Sequence, residues 1–321
     1  MLTSRFALSL RAVMQQATDH YHSESGGGKL FRRVFTPRDL APEAWRGGVL
    51  LVHGLGDHLA CHEKAARMFC DQGLVAAGVD WPGHGQSFGK RGSSRQVDSL
   101  LDLIGESLAD LRARLPAGSP VGLYAHSAGG FVLLQFLRQQ LGLGQQGVNY
   151  PAAFSFVWLS SPLLQPTHGQ GFLKIKIGKF LSKIAPGLRL DTGVRSGSCY
   201  PPDPVTGIYK EDELKHHKIS LAFGADLMRR SLQVQECAGA FREPTRLLIT
   251  QGDADQVCPA QFSRDFFEAV SLPSCNKTYR LLPGVLHEPL NDPGADDLLT
   301  EVGEWLGAAL NEASGKACKN R

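Results

Sequence analysis

Residues 120–137 have the sequence PVGLYAHSAGGFVLLQFL, in which a short apolar run meets a helical pattern at a serine. The run PVGLYAHS has the length and composition of a buried strand, and GGFVLLQFLRQQ those of a helix. A sharp turn at this junction would present the Ser127 hydroxyl at the carboxyl edge of a parallel sheet. Such a turn needs small neighbours two positions away on each side, which Ala125 and Gly129 supply. Ala125 departs from the strict G-x-S-x-G pattern, and the alternative role for Ser127 is a helix N-cap.

A serine hydroxyl becomes a nucleophile only when a base takes its proton, and two later loops supply candidate partners. His287 lies in PGVLHEP, directly after the strand-like KTYRLL, and QGDADQVCP follows the strand-like TRLLIT with two acids, Asp253 and Asp255. The order serine, acid, histidine differs from that of the chymotrypsin and subtilisin triads. Since the carboxyl ends of parallel strands meet at one edge, we expect these loops to converge on Ser127.

The anion formed during acyl transfer needs fixed hydrogen-bond donors. The loop after the strand-like LLV contains His53 and Gly54, and the glycine allows the backbone to approach a substrate closely. We predict an oxyanion hole made of the backbone N–H groups of Leu55 and Ala128. Ala128 begins the helix after the nucleophile, where the helix dipole also favours negative charge.

Apolar runs of strand length alternate with helical patterns through most of the chain, which predicts an α/β fold with a mostly parallel sheet flanked by helices. The alternation stops between residues 163 and 236, where no convincing strand is found, and this segment is predicted to be a helical cap inserted in the domain. We therefore divide the chain into an N-terminal extension (1–28), a core (29–162 and 237–310), the cap (163–236) and a C-terminal tail (311–321).

Composition narrows the function classes. The chain has 34 Lys+Arg and 31 Asp+Glu, a net charge of +3, which does not favour a nucleic-acid partner. The seven cysteines form no CxxC pair, which favours a reducing compartment.

Arg5 and Arg11 interrupt the first apolar segment, so we expect an amphipathic N-terminal helix rather than a signal or transit peptide. No run approaches the length of a membrane span, and a cytoplasmic protein is expected.

Five stretches together resemble the monoacylglycerol lipase and lysophospholipase branch of the α/β-hydrolases, over roughly residues 29–310. They are HGLGDH (53–58), DWPGHGQSFGKRG (80–92), AHSAGG (125–130), GDADQVC (252–258) and GVLHE (284–288). The resemblance implies a Ser127, His287 and Asp255 triad, with Asp255 preferred to Asp253. It also implies hydrolysis of monoacylglycerols or lysophospholipids through an acyl-enzyme, without a metal or organic cofactor.

The residues of the family-specific turn are expected to be structural: Gly83 and Gly85 permit it, and His84 and Ser87 brace it. Cys258, three residues after the acid, is expected to be a buried, inert thiol. Glu288 and Asp292 are expected to solvate the loop after the histidine. The cap sequence matches the family poorly, so the substrate stays open.

Alternatives remain at this stage. A peptidase or an acyltransferase can use the same triad, and a non-catalytic binding protein can share the fold. His53, His58 and His62 lie close in sequence, but no HExxH or cysteine pair accompanies them, and no metal site is predicted. Residues 172–184 interleave lysines with apolar residues and contain no acid. We interpret them as a cap helix, with transient contact with an anionic membrane surface as a second hypothesis.

Overall fold

The computed structural model describes residues 14–94, 96–140, 154–166, 172–209, 212–241 and 245–313. The strands are β1 (Met14–Ser23), β2 (Gly28–Pro37), β3 (Gly47–Val52), β4 (Leu74–Val79), β5 (Val121–His126), β6 (Phe156–Ser160), β7 (Arg189–Asp191), β8 (Lys218–Ser220), β9 (Arg246–Gly252) and β10 (Lys277–Leu282). The α-helices are α1 (Glu63–Asp71), α2 (Val97–Arg114), α3 (Ala128–Gln140), α4 (Phe172–Ile184), α5 (Ser196–Cys199), α6 (Leu221–Arg230), α7 (Val234–Cys237), α8 (Ala260–Ala269) and α9 (Ala295–Ala313).

Eight strands form one sheet in the order β1-β2-β4-β3-β5-β6-β9-β10. The six strands from β4 to β10 in this order are parallel, and β1 and β2 join them as an antiparallel hairpin at one edge. The predicted fold class, a mostly parallel sheet flanked by helices, is therefore confirmed. The carboxyl ends of β3, β5, β9 and β10 share one edge, which carries every predicted site loop.

The core lies on both faces of this sheet. Along β5, Leu123 and Ala125 point into one apolar cluster, which the helices α2 and α3 cover. Tyr124 points into the other cluster, which α1 and α9 cover. Burial on both faces explains why the central strands are continuous apolar runs rather than alternating ones.

The N-terminal part of the sheet differs from the prediction. β1 pairs with β2 over its whole length, from Met14 with Pro37 to Ser23 with Gly28. The sheet thus includes residues that the sequence analysis assigns to the N-terminal extension. The predicted N-terminal helix is wrong for residues 14–16, which lie in β1. Residues 1–13 lie outside the described part of the chain. Because β1 is an edge strand with mostly exposed polar side chains, it lacks the apolar run that marks the central strands.

The cap region contains helices α4 to α7, but the prediction that it has no strand is wrong. β7 and β8 pair antiparallel, with Leu190 opposite Ile219. Strands of three residues are too short to show a two-residue alternation in the sequence. Across the described ranges, no helix combines the length and the apolar character needed to cross a membrane.

Candidate active site

Ser127 occupies a strained turn between β5 and α3. Its φ is +53°, in the left-handed region that non-glycine residues rarely adopt. A Cβ at position 129 would stand 2.5 Å from the Val52 carbonyl oxygen, and one at Gly54 would stand 3.1 Å from the Ser127 Cβ. The turn can pack against β3 only because these neighbours are glycines. Ala125 is fully buried in the core, so its methyl group is accommodated where the strict motif has glycine.

The structure brings Ser127, His287 and Asp255 together. The Ser127 Oγ lies 2.8 Å from His287 Nε2, and His287 Nδ1 lies 2.8 Å from Asp255 Oδ2. The serine hydroxyl thus faces an imidazole nitrogen rather than serving as an N-cap. With the Nδ1 proton directed at the carboxylate, Nε2 is left as the acceptor for the serine proton.

Asp255 is held rigidly by its own loop. Its Oδ1 accepts the backbone N–H groups of Val257 and Cys258, each at 2.8 Å, and its Oδ2 accepts Gln251 Nε2 at 2.9 Å. Asp253 has a different role: its Oδ1 accepts the Gly284 N–H at 2.6 Å, which braces the loop before the histidine. Only Asp255 of the two candidate acids contacts His287 in this geometry.

The predicted oxyanion loop lies beside the nucleophile, and Leu55 and Ala128 both line the cavity that contains Ser127. The His53 side chain stabilises this loop through two hydrogen bonds. Its Nδ1 donates to the Gly54 carbonyl at 2.8 Å, and its Nε2 accepts the Trp81 N–H at 2.9 Å. Burial lowers the pKa of His53, so the neutral ring keeps one donor and one acceptor for these two bonds.

The family-specific turn braces the same region. Ser87 Oγ donates to the Asp80 carbonyl at 2.5 Å and accepts the Phe31 N–H at 2.8 Å. The His84 ring packs against His53, with ring centroids 5.4 Å apart. These contacts agree with the structural roles expected for Ser87 and His84. Gly83 and Gly85 both have positive φ, +76° and +48°, which explains the two glycines of the turn.

A cavity of about 320 Å³ opens above Ser127, between core and cap. Its cap side is mainly apolar, with Leu190, Ile219, Leu227 and Met228 among the lining residues. Cys258 also lines it, and burial raises the pKa of this thiol well above its usual value, consistent with an unreactive cysteine.

Sequence reasoning missed a polar wall of this cavity. Lys215 forms an ion pair with Glu288, with Nζ 2.9 Å from Oε2, and their side chains are only 19% and 16% exposed. The expectation that Glu288 solvates its loop is therefore wrong. A lysine in a cap segment without regular structure gives no sequence signal for such a contact, since its partner is 73 residues away.

The three histidines considered for a metal have separate partners. His58 Nε2 lies 2.9 Å from Asp212 Oδ2, His62 Nε2 lies 2.7 Å from Asp57 Oδ2, and His53 bonds the Trp81 backbone. Within the described residues, His58, Cys61 and Asp212 come close enough for a shared ion, as do Asp255, Cys258 and His287. The second group contains the acid and base of the candidate triad.

A mostly parallel sheet with a serine at the β5–α3 turn, an acid after β9 and a histidine after β10 defines an α/β-hydrolase. The family model described as serine aminopeptidase, S33, matches residues 43–294, and the chain belongs to this family.

Several characterised proteins resemble the chain over most of its length. The monoacylglycerol lipase of Mycolicibacterium smegmatis is 28% identical over 92% of this chain and 98% of its own. The human monoglyceride lipase is 27% identical over 87% of each chain. The crystal structure of the Paleococcus ferrophilus monoacylglycerol lipase superposes with a TM-score of 0.72 at 28% identity, covering 87% of this chain and 99% of that one. The predicted family resemblance is confirmed, and these findings support the predicted class, a serine ester hydrolase.

Proposed function

We propose that this enzyme hydrolyses the ester bond of monoacylglycerols or lysophospholipids through an acyl-enzyme on Ser127. The observation that carries the proposal is the position of His287, which bridges Ser127 Oγ and Asp255 Oδ2 at 2.8 Å each. The apolar cap side of the cavity suits an acyl chain. The lipase names of its relatives support the same substrate class.

In the proposed first step, Ser127 Oγ attacks the ester carbonyl while His287 Nε2 takes the hydroxyl proton. Asp255 holds the imidazole in the required tautomer and stabilises its charged form. The Leu55 and Ala128 N–H groups hold the oxyanion as it forms. His287 then protonates the leaving alcohol, and the acyl group stays on Ser127.

In the second step, water enters as the new nucleophile. His287 takes a proton from this water, which attacks the acyl carbonyl, and the carboxylic acid is released as the Ser127 hydroxyl regains its proton. Each step uses side chains and backbone groups of this chain alone, so the proposed reaction calls for no cofactor or metal.

The test is labelling with a fluorophosphonate probe, comparing the wild type with Ser127→Ala. Ser161→Ala is the matched control, because Ser161 also directly follows a strand of the sheet, β6, and has a positive φ of +44°. We expect labelling to be lost only in Ser127→Ala. An unlabelled wild type would overturn the proposal in favour of a non-catalytic binding protein.

Substrate class is tested on a panel of p-nitrophenyl esters, monoacylglycerols, lysophospholipids and aminoacyl p-nitroanilides. Turnover of the lipid esters is expected. Labelling at Ser127 combined with turnover of the anilides alone would instead favour the peptidase alternative that the family description suggests.

Contact between the cap and an anionic membrane belongs to the same proposal, as does a cytoplasmic location with peripheral membrane binding. On α4, Lys183 is exposed and Phe180 and Ile184 are 64% and 66% exposed. Apolar side chains next to cations favour insertion at a charged lipid surface. Co-sedimentation with phosphatidylglycerol vesicles should fall when Lys174, Lys176, Lys179 and Lys183 are changed to Gln, and unchanged co-sedimentation would exclude this contact.

A further inference from the structure

A short cap segment, residues 212–217, lies against the loop that carries Leu55, and we call it the cap strap. The His216 N–H donates to the Gly56 carbonyl at 3.0 Å. Asp212 Oδ2 lies 2.9 Å from His58 Nε2. A Cβ on Gly56 would collide with the His216 carbonyl, so strap and loop meet backbone against backbone. The cap is therefore attached to the core right next to the nucleophile.

In the cap strap, the Lys215 side chain forms an ion pair with the loop that carries His287. Its Nζ lies 3.0 and 2.9 Å from the two carboxylate oxygens of Glu288, the residue directly after His287. The ammonium also lies 5.3 Å from the centre of the Tyr200 ring, on another part of the cap. Because this pair is largely shielded from water, its attraction is stronger than that of a surface ion pair.

The cap holds Glu288 at a second point. The Glu288 N–H donates to the Cys199 carbonyl at 2.7 Å, at the end of α5. The residue after His287 is thus fixed through both its main chain and its carboxylate by groups of the cap. The Lys215 contact is the one that a side-chain substitution can remove.

Lys215 also interacts electrostatically with a buried carboxylate, that of Asp57. Burial by itself raises the pKa of Asp57, but His62 and Lys215 outweigh it and hold that pKa well below its usual value. Asp57 Oδ1 accepts the His58 N–H at 2.8 Å, so its charge is fixed at the end of the oxyanion loop. Asp57, Lys215 and Glu288 line the same cavity, so one cation of the cap lies near both loops that the proposed reaction uses.

We infer that Lys215 is a positioning residue for the proposed hydrolysis, fixing Glu288 and with it the imidazole of the neighbouring His287. The inference rests on the proposed function of Ser127 and His287. A displacement of about 1 Å of a catalytic group can cost on the order of 10²-fold in rate. Loss of the Lys215 charge should therefore lower kcat by more than it changes KM.

The test compares Lys215→Met, Lys215→Arg and the double variant Lys215→Met with Glu288→Gln. The single Met variant leaves the Glu288 carboxylate, which is only 16% exposed, without its cation, and this destabilises the fold. The double variant removes both charges and should regain thermal stability. If the pair positions His287, kcat of p-nitrophenyl butyrate hydrolysis stays ~10- to 100-fold low in Lys215→Met and in the double variant, and recovers in Lys215→Arg.

A matched control is the ion pair of Arg138 with Glu236, which joins the last turn of α3 to α7. Arg138→Met removes another cation that joins core and cap, and its kcat should equal that of the wild type. A double variant with wild-type kcat, or an equal loss in Arg138→Met, would overturn the positioning role and leave a purely structural one.

A readout without turnover separates this inference from the proposed function. The proton between His287 Nδ1 and Asp255 Oδ2, which lie 2.8 Å apart, should give a downfield NMR resonance that does not depend on the substrate. It should be sharp in the wild type and in Lys215→Arg, and broadened or shifted in Lys215→Met and the double variant. An unchanged resonance overturns the inference even if the enzyme is active, whereas a changed one supports it even if the substrate class is wrong.

Discussion

The core end of the active site and the cap above it are built differently. The Asp255 carboxylate accepts four hydrogen bonds, and Ser127 lies where two glycines allow close backbone packing. By contrast, eight of the ten exposed large apolar side chains among the described residues lie between positions 163 and 236: Phe180, Ile184, Leu188, Leu190, Val205, Ile208, Tyr209 and Leu232. The candidate triad is thus held in a closely packed framework, whereas the cap above it is more loosely packed.

The largest expected effect tests the core end. Asp255→Asn places an amide near His287 Nδ1 and favours the wrong tautomer, so we expect kcat to fall by about 10⁴. Asp253→Asn is the matched control, because Asp253 is exposed and its remaining oxygen can still accept the Gly284 N–H. Steady-state kinetics on a p-nitrophenyl ester measures both. Similar losses in the two variants would contradict the assignment of Asp255.

The second effect concerns stability at the same end. In Gly129→Ala the new methyl group would meet the Val52 carbonyl oxygen at 2.5 Å and the His53 carbonyl still closer. Neither backbone group can move without disturbing β3, so we expect a loss of about 3 kcal/mol in the free energy of unfolding. Urea unfolding followed by circular dichroism measures it. A loss below about 1 kcal/mol would show that the turn is softer than its contacts indicate.

This contrast also explains what the sequence could predict. Ser127, His287 and the acid are recognisable because each follows a strand of the parallel sheet, and the chain order of the three is diagnostic. The choice of Asp255 over Asp253 came from the family resemblance, since both acids follow the same strand. The local sequence pattern is therefore enough to predict the loops that carry these three residues.

The missed features depend on contacts between residues far apart in the chain. β1 is a polar edge strand recognised only through its pairing with β2. Lys215 and Glu288 meet only in the folded chain, where the cap packs on the core. Neither contact leaves a periodic pattern in the sequence. The residues of a polar edge strand resemble those of a surface loop, and a single lysine is equally common in such a loop.

The third effect is a pH dependence of stability, which tests how the cap is attached to the core. Burial, followed by the nearby Arg91, lowers the pKa of His216 to about 4 from its ordinary 6.5. Its ring packs on His84 with centroids 4.6 Å apart. Since the folded state disfavours the charged ring, its contribution to stability is complete above pH 6.5 and is lost as pH falls to about 4.

In His216→Asn the amide oxygen can still accept the Lys218 N–H, which His216 Nδ1 accepts at 3.2 Å. The melting temperature of the variant should therefore fall less steeply than that of the wild type between pH 6.5 and 4. The buried His53, His84 and His126 also have lowered pKa values and keep part of the slope. Parallel curves would show that His216 titrates as freely in the folded protein as in the unfolded one.

The smallest effect tests the cap alone and is the counterpart of Gly129→Ala. Gly178 lies in the middle of α4, and a Cβ there would meet no atom within 4 Å. Gly178→Ala should therefore stabilise the helix by about 0.5–1 kcal/mol, since alanine loses less backbone entropy in a helix. If α4 unfolds together with the core, the urea midpoint rises. If the cap opens on its own, the midpoint stays unchanged and only the amide exchange of α4 slows. A lower midpoint would contradict the open space at this position, and with it the loose packing that distinguishes the cap from the core.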